Sequence, residues 1–441
     1  MNRLSQTILS DSLKVLIITA SIWAVFLSKL ISFEAVFLFF ALLAIAVFRR
    51  PFSEAKVIPW PWFFVLLGFF ILMSLFPMLW YTPFEDSSYS LINTRFTTLL
   101  LFFYVWILFW QLKPSEDVIW WALIFASLAV LFAIVYELYV LGSYEAIFTH
   151  RFGNAATPHV LRFGIYSNLL TVILLGGFIW ATRKSAWVVL MLTIAALITF
   201  VGSLVSDTRS AWAGLPEALV VWAIFYWLYF RRNENINVKR TLLLWTFFLV
   251  SFISILFYFG DRLEKRWNAM TGDLTNYVEG TGNAGSVGKR LVMYEAGIKG
   301  FVDNFWVGVG VDNSEKVQLE LTRPIMKEVY GIDQGFSKTH LHNQFIQEAF
   351  TRGIWGLLGF VITLGYLVVY FSMRAKDFKK RGTFSPWPVA GALFVVSSSI
   401  SMLAEAWVHL RSGVMFFIFM VTLFVFLTHR EALVDKESEN T

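Results

Sequence analysis

The chain has no cysteine, and only 15% of its 441 residues are charged. The first absence excludes disulfides, thiolate metal sites and thiol catalysis. The second sets the chain apart from an ordinary soluble protein, in which about 25% of residues are charged. No internal repeat and no long disordered tail is visible. No cleavable signal peptide is expected, because Met1 to Lys14 is polar and the first apolar run lacks a small-residue cleavage site. The net charge of +6 and pI near 9.3 do not indicate nucleic acid, since the basic residues sit in short clusters between apolar runs.

What the chain has in abundance is apolar sequence, 57% of its residues. Runs near the ~20 residues needed to cross a bilayer recur from end to end. About twelve spans are expected, near 13–29, 31–48, 58–80, 97–112, 118–140, 164–181, 186–205, 211–230, 241–259, 353–373, 387–405 and 412–428. The fold class is therefore all-α, a polytopic membrane protein forming one integral membrane domain over 1–441. Lys and Arg set the orientation. With the N-terminus inside, cytoplasmic segments hold nineteen of the 36 basic residues, among them Arg49, Arg50, Lys56, Arg183, Lys184, Arg231 and Arg232. The short outer loops hold six: Lys29, Arg95, Arg151, Arg162, Arg209 and Arg411. The long polar insert 260–352, between spans 9 and 10, is thus placed outside the cytoplasm.

Within that insert Asn283, Gly285 and Gly288 mark a flexible stretch. Leu291, Tyr294, Ile298 and Phe301 recur at helical spacing. Val307 to Gly310 reads as a turn, and Glu315 to Glu328 as an amphipathic helix interrupted at Pro324. Short helices lying on the membrane face are expected.

The residues able to carry chemistry gather at the outer boundary. His342 is expected to begin a helix, with 342, 346, 349 and 353 on one face. It is a candidate base, since imidazole exchanges protons near neutral pH; the plainer reading is a histidine bonded to a carbonyl at a helix start. His340 raises a metal site through His-x-His, but no carboxylate is evident to complete it. Arg209, in Ser206-Asp-Thr-Arg-Ser210, is either paired with Asp207 or a clamp for phosphate, which suits a planar guanidinium. Arg290 beside Lys289, and Arg162, are further candidates; a solvated charge and an interfacial anchor are their plainer readings. Gly308 and Gly310 either form a simple turn or present amides to an anion. Glu405 is an interfacial carboxylate that can orient His342 or an incoming hydroxyl. Together these groups suit a reaction on a lipid-linked phosphate: arginines hold the diphosphate and stabilise its developing charge, while the histidine takes the attacking hydroxyl's proton.

His342-Asn343, followed by Gly353, resembles the signature of the O-antigen ligase and polymerase superfamily. Ser206-Asp-Thr-Arg209-Ser-Ala-Trp212, Ser286-Val-Gly-Lys-Arg290-Leu-Val-Met-Tyr294 and Asn304-Phe-Trp-Val-Gly308-Val-Gly310 agree with it, Phe305 standing where the family has proline. The resemblance covers roughly 160–430. It implies a metal-independent, inverting glycosyltransferase of the GT-C type in the bacterial inner membrane, with no cofactor. The donor is an O-antigen glycan on undecaprenyl diphosphate, facing the periplasm, and the acceptor a sugar of lipid A-core. Carried over by motif, His342 is catalytic, and Arg209, Arg290 and Arg162 contact the diphosphate. Glu405 and Asn343 are assigned to orienting the acceptor. An O-antigen polymerase, with the same donor but a growing glycan as acceptor, and a protein O-oligosaccharyltransferase are the alternatives. A single dominant outer loop favours the ligase. A transporter would show midplane charges and symmetric broken helices, which this sequence lacks.

Overall fold

The computed structural model describes residues 3–31, 33–49, 60–81, 85–157, 159–212, 214–225, 227–228, 238–282, 284–381 and 385–439. Arg50, Lys56, Arg231, Arg232 and Asn283 lie outside the described residues. Those described are mainly helical, with no strand among them. A helix overlies each of the twelve apolar stretches. Among the described residues, five helices are long and apolar enough to cross a membrane by length and composition: Glu116–Leu141, Ala186–Val205, Gln344–Lys380, Trp387–Ala404 and Arg411–Ala432. The molecule is a multi-pass membrane protein.

Glu116–Leu141 shows why such sequences form bundles. Ser115 accepts the Val118 amide at 3.3 Å and starts the helix, and Gly142, at φ 67°, ends it. Ala122, Ala126, Ala129 and Ala133 are buried, whereas Phe125, Leu128, Phe132, Val135 and Tyr139 are exposed. Both faces are apolar. The small residues admit close helix contact, and the large ones face lipid. The same logic builds one continuous apolar core from the spanning helices.

The insert is more ordered than its sequence indicated. It contains three helices, Gly260–Glu279, Ser286–Asp303 and Ser314–Tyr330, followed by an irregular run to Asn343. The first was not anticipated. Pro324 sits inside the third without ending it. Gly288, read as part of a flexible stretch, is buried within the second helix. Two small apolar clusters hold these helices together, one around Val292, Ala296, Ile325 and Met326, the other around Met293, Val309, Leu341 and Phe350.

Two breaks shape the face where insert meets bundle. Asp207, at φ 56°, ends the Ala186–Val205 helix and starts the short Arg209–Trp212 turn, so the spans flanking 206–210 are separate, as expected. Gly353 lies inside Gln344–Lys380 with φ 62° and ψ −156°, dividing it into two segments. The turn at 304–310 packs into that break. Val309 and Gly310 amides donate to the carbonyls of Phe350 and Thr351 at 2.8 and 3.2 Å, and the Ile354 amide donates to Phe305. A Cβ on Gly353 would lie 2.5 Å from the Trp306 carbonyl. The Gly308-Val-Gly310 amides are therefore spent on the protein's own backbone, and the simple-turn reading holds.

Candidate active site

A cavity of about 530 Å³ opens between the 206–210 break and the Ser286–Asp303 helix. Arg151, Arg209, Arg266, Lys289, Arg290 and Lys338 all line it. Asp207 is the single carboxylate in its wall, and it is already held by Arg266, Nε to Oδ2 2.6 Å, with Arg262 at 3.7 Å. Asp207 is thus not the partner of Arg209. Burial first, and then the neighbouring Arg290 and Arg266, pull the Arg209 pKa below its ordinary value. Burial does the same to Arg151, with Asp207 opposing it. Both remain charged at neutral pH. Packed cations of this kind gain most from a multivalent anion.

His342 lies on the wall of the same cavity, but not in a helix. The helix begins at Gln344, and Asn343 is its cap, its Oδ1 accepting the amides of Phe345 and Ile346 at 3.0 and 3.1 Å. That corrects one expectation: residues 342, 346, 349 and 353 do not form one helical face, because His342 precedes the cap and Gly353 breaks the helix. The Asn343 side-chain oxygen, assigned to the acceptor, is engaged in helix capping.

The segment carrying His342 is fixed by side chains that reach it from two helices. Thr322 brackets Phe336 through its amide and carbonyl, at 3.0 and 2.7 Å. Gln318 accepts the Lys338 amide, and Gln347 accepts the Leu341 amide at 2.8 Å. Gly297 admits the Leu341 side chain, which a Cβ there would strike at 2.7 Å. His342 then takes a left-handed φ of 56°, uncommon for a residue with a side chain. Its carbonyl is held by the Tyr294 hydroxyl at 3.1 Å.

Glu405, just past the Trp387–Ala404 helix, is 1% exposed and joins three groups. Its Oε2 meets His342 Nδ1 at 2.9 Å and Arg290 at 3.5 Å, and its Oε1 meets His340 Nε2 at 2.7 Å. Burial alone would raise its pKa, but hydrogen bonds and charge from the two histidines outweigh that and hold the carboxyl well below the usual range. An ionised carboxylate only accepts, so His342 Nδ1 is the donor, and whenever the ring is neutral Nε2 is its basic nitrogen. The expected link between Glu405 and His342 is present in the geometry.

The reading that no carboxylate completes His340-x-His342 is overturned. His340, His342 and Glu405 offer three ligand atoms within 4.8 Å of one another. Their spacings are those of hydrogen bonds, with the carboxylate between the two imidazoles. A divalent cation would have to displace both bonds and sit beside the Arg290 guanidinium. The trio fits a carboxylate clamp better than a metal centre.

The structure brings Arg209, Arg290, His342 and Glu405 together. Arg162 stands apart: it donates to Ser412 at 3.0 Å and does not line the cavity. Arg151, Arg266, Lys338, His340 and Tyr294 were not singled out as site residues. Arg262 and Arg266 are one helical turn apart, and Tyr294 follows Arg290 by one turn, so the signal was available in the spacing.

Residues 194–361 match the family model for O-antigen ligase. That stretch contains Arg209, Arg290, His342 and Gly353, and it stops short of Glu405. An uncharacterized protein of Haemophilus influenzae is 26% identical over 276 residues, 62% of this chain and 64% of that protein. An O-antigen ligase of Escherichia coli is 24% identical over 326 residues, 70% of each. The chain thus spans just under two thirds of the first relative's length. Over residues 194–361, the chain is thus similar to the O-antigen ligase family.

Proposed function

We propose that the protein transfers an O-antigen glycan from undecaprenyl diphosphate to a sugar hydroxyl of lipid A-core, at the periplasmic face of the bacterial inner membrane. One observation carries this reading: a histidine with its Nδ1 held by a buried carboxylate lies on the wall of a cavity lined by six cations. The diphosphate fits the cations, with Arg209 and Arg290 its main contacts and the lipid tail remaining in the bilayer.

The acceptor oxygen attacks the anomeric carbon from the side opposite the diphosphate, so configuration inverts. The new C–O bond forms as the bond to the phosphate oxygen breaks, and undecaprenyl diphosphate leaves with the electron pair. The cations stabilise the charge that grows on it. His342 Nε2 takes the acceptor hydroxyl's proton, and Glu405 stabilises the imidazolium that results. No step needs a metal or cofactor.

The test is genetic and biochemical. A deletion strain should accumulate long glycans on undecaprenyl diphosphate and carry none on lipopolysaccharide, and the wild-type gene should restore them. His342→Ala should be folded in the membrane yet fail to complement, with transfer by the purified enzyme reduced roughly 100-fold or more. Core capped with a single repeat unit in the deletion strain would assign a polymerase instead. Full complementation by His342→Ala would remove the histidine from the mechanism.

A further inference from the structure

A second cavity, about 490 Å³, borders the same loop segment. Thr339 and Gln347 line it, whereas Lys338 and His342 line the cationic cavity. Gln347 holds the Leu341 amide, and Thr339 Oγ1 lies 3.1 Å from His340 Nδ1. Residues 338–342 therefore form a wall common to both cavities, and the His340–Glu405–His342 clamp is built on that wall.

The chemistry on this side is the reverse of the first. Among the described residues, the lining of the second cavity has no lysine or arginine and has three carboxylates, Asp86, Asp312 and Glu315. Asp312 is committed to the start of the Asp86–Leu112 helix, accepting the Ser88 amide at 2.8 Å and the Glu85 amide at 3.2 Å. Among the described residues, the Asp86 and Glu315 carboxylates have no hydrogen-bond or ion-pair partner. Ser90 and Thr94 add hydroxyls on the same side.

We infer that this cavity binds the neutral, hydroxyl-rich sugars of the acceptor that flank the reacting one, which itself reaches His342 on the cationic side, with Asp86 and Glu315 accepting hydroxyl hydrogens. This rests on the transfer reaction proposed above. A two-substrate transfer must hold both partners at once, and the diphosphate suits only the cationic side. Hydrogen bonds from hydroxyls to ionised carboxylates are short and strong. The same carboxylates repel phosphate, so the phosphate-bearing part of either lipid is turned away. The charge difference across the wall thereby sorts two glycolipids that both carry sugar and phosphate.

The experiment uses the full-length enzyme in proteoliposomes, with undecaprenyl-diphosphate-linked glycan and purified lipid A-core. Two variants are compared with wild type: the double substitution Asp86→Asn with Glu315→Gln, and Ser90→Trp, which places a large side chain in the cavity. Each should raise the apparent KM for lipid A-core roughly tenfold and leave the donor KM within about twofold. Arg290→Ala should do the opposite, raising the donor KM. An unchanged acceptor KM in both cavity variants, or an equal rise in both KM values, overturns the assignment. For an inactive variant, thermal stabilisation by lipid A-core alone and by undecaprenyl diphosphate alone reads the two cavities separately. Loss of the first with retention of the second supports the assignment; loss of both, or of neither, overturns it. A wild-type enzyme that transfers nothing to lipid A-core refutes the transfer reading instead, and stabilisation of wild type and variants by lipid A-core then decides the cavity by itself.

Discussion

The guanidinium of Arg290 lies 3.5 Å from the Glu405 oxygen that also meets His342 Nδ1. One buried carboxylate is therefore shared between a cation assigned to the donor and the nitrogen that orients the base. Its native pKa is depressed, because the histidine bonds outweigh burial. A depressed carboxyl contributes stability that is complete above its unfolded pKa, about 4.3 for Glu, and is lost as pH falls through the native value. Glu405→Gln should melt below wild type at pH 7, and the difference should shrink once the pH drops below about 4. Melting curves in detergent from pH 7 to 3 measure it; a constant difference throughout contradicts the ionised clamp.

A chelator should leave transfer unchanged. The His340, His342 and Glu405 atoms are close enough for a metal, so the result is informative in both directions. Activity lost in EDTA and restored by a divalent cation would reassign the trio as ligands.

Asn343→Ser should be nearly silent and Asn343→Ala should cost about 1 kcal/mol, because serine replaces asparagine as a helix cap and alanine does not. Transfer assays with both variants, alongside melting, separate capping from acceptor recognition. An acceptor KM that rises in the serine variant would return Asn343 to the substrate.

Gly353→Ala should destabilise by about 2–4 kcal/mol, combining a backbone region reserved for glycine with a clash. The added Cβ would meet the Trp306 carbonyl at 2.5 Å. Gly365, later in the same helix, has nothing within 4 Å of its virtual Cβ. Gly365→Ala should be neutral or stabilising by roughly 0.5–1 kcal/mol. Equal effects at the two glycines would contradict the break.

Much of this architecture could be read from the residues. Apolar run length placed a helix at every expected span, because a bilayer demands it. The link from Glu405 to His342 was anticipated, although 63 positions separate them, since both fell at one membrane boundary. The carboxylate's second imidazole was not: His340 had been weighed as a metal ligand, and a partner 65 positions away leaves no local trace. The Gly260–Glu279 helix went unread although Leu263, Trp267, Met270, Leu274 and Val278 recur at helical spacing, because its many charges resemble a loop. Gly353 was read as a motif residue at the head of a span. Its part as a break depends on the 304–310 turn packing against it, a tertiary fact no window of sequence contains. The place of Arg162 beside Ser412, away from the cavity, was not legible, because a boundary arginine looks the same whether it faces a ligand or a neighbouring hydroxyl.

The break at Gly353 gives up backbone groups that the Phe305–Gly310 turn takes over. The polar insert and the span it packs against are thereby stapled into one frame. Inserting or deleting a single residue on either strand of that staple would leave amides and carbonyls orphaned on the other. Evolutionary drift at these two distant stretches should accordingly arrive as compensating pairs, with loop length there held more tightly than side-chain identity.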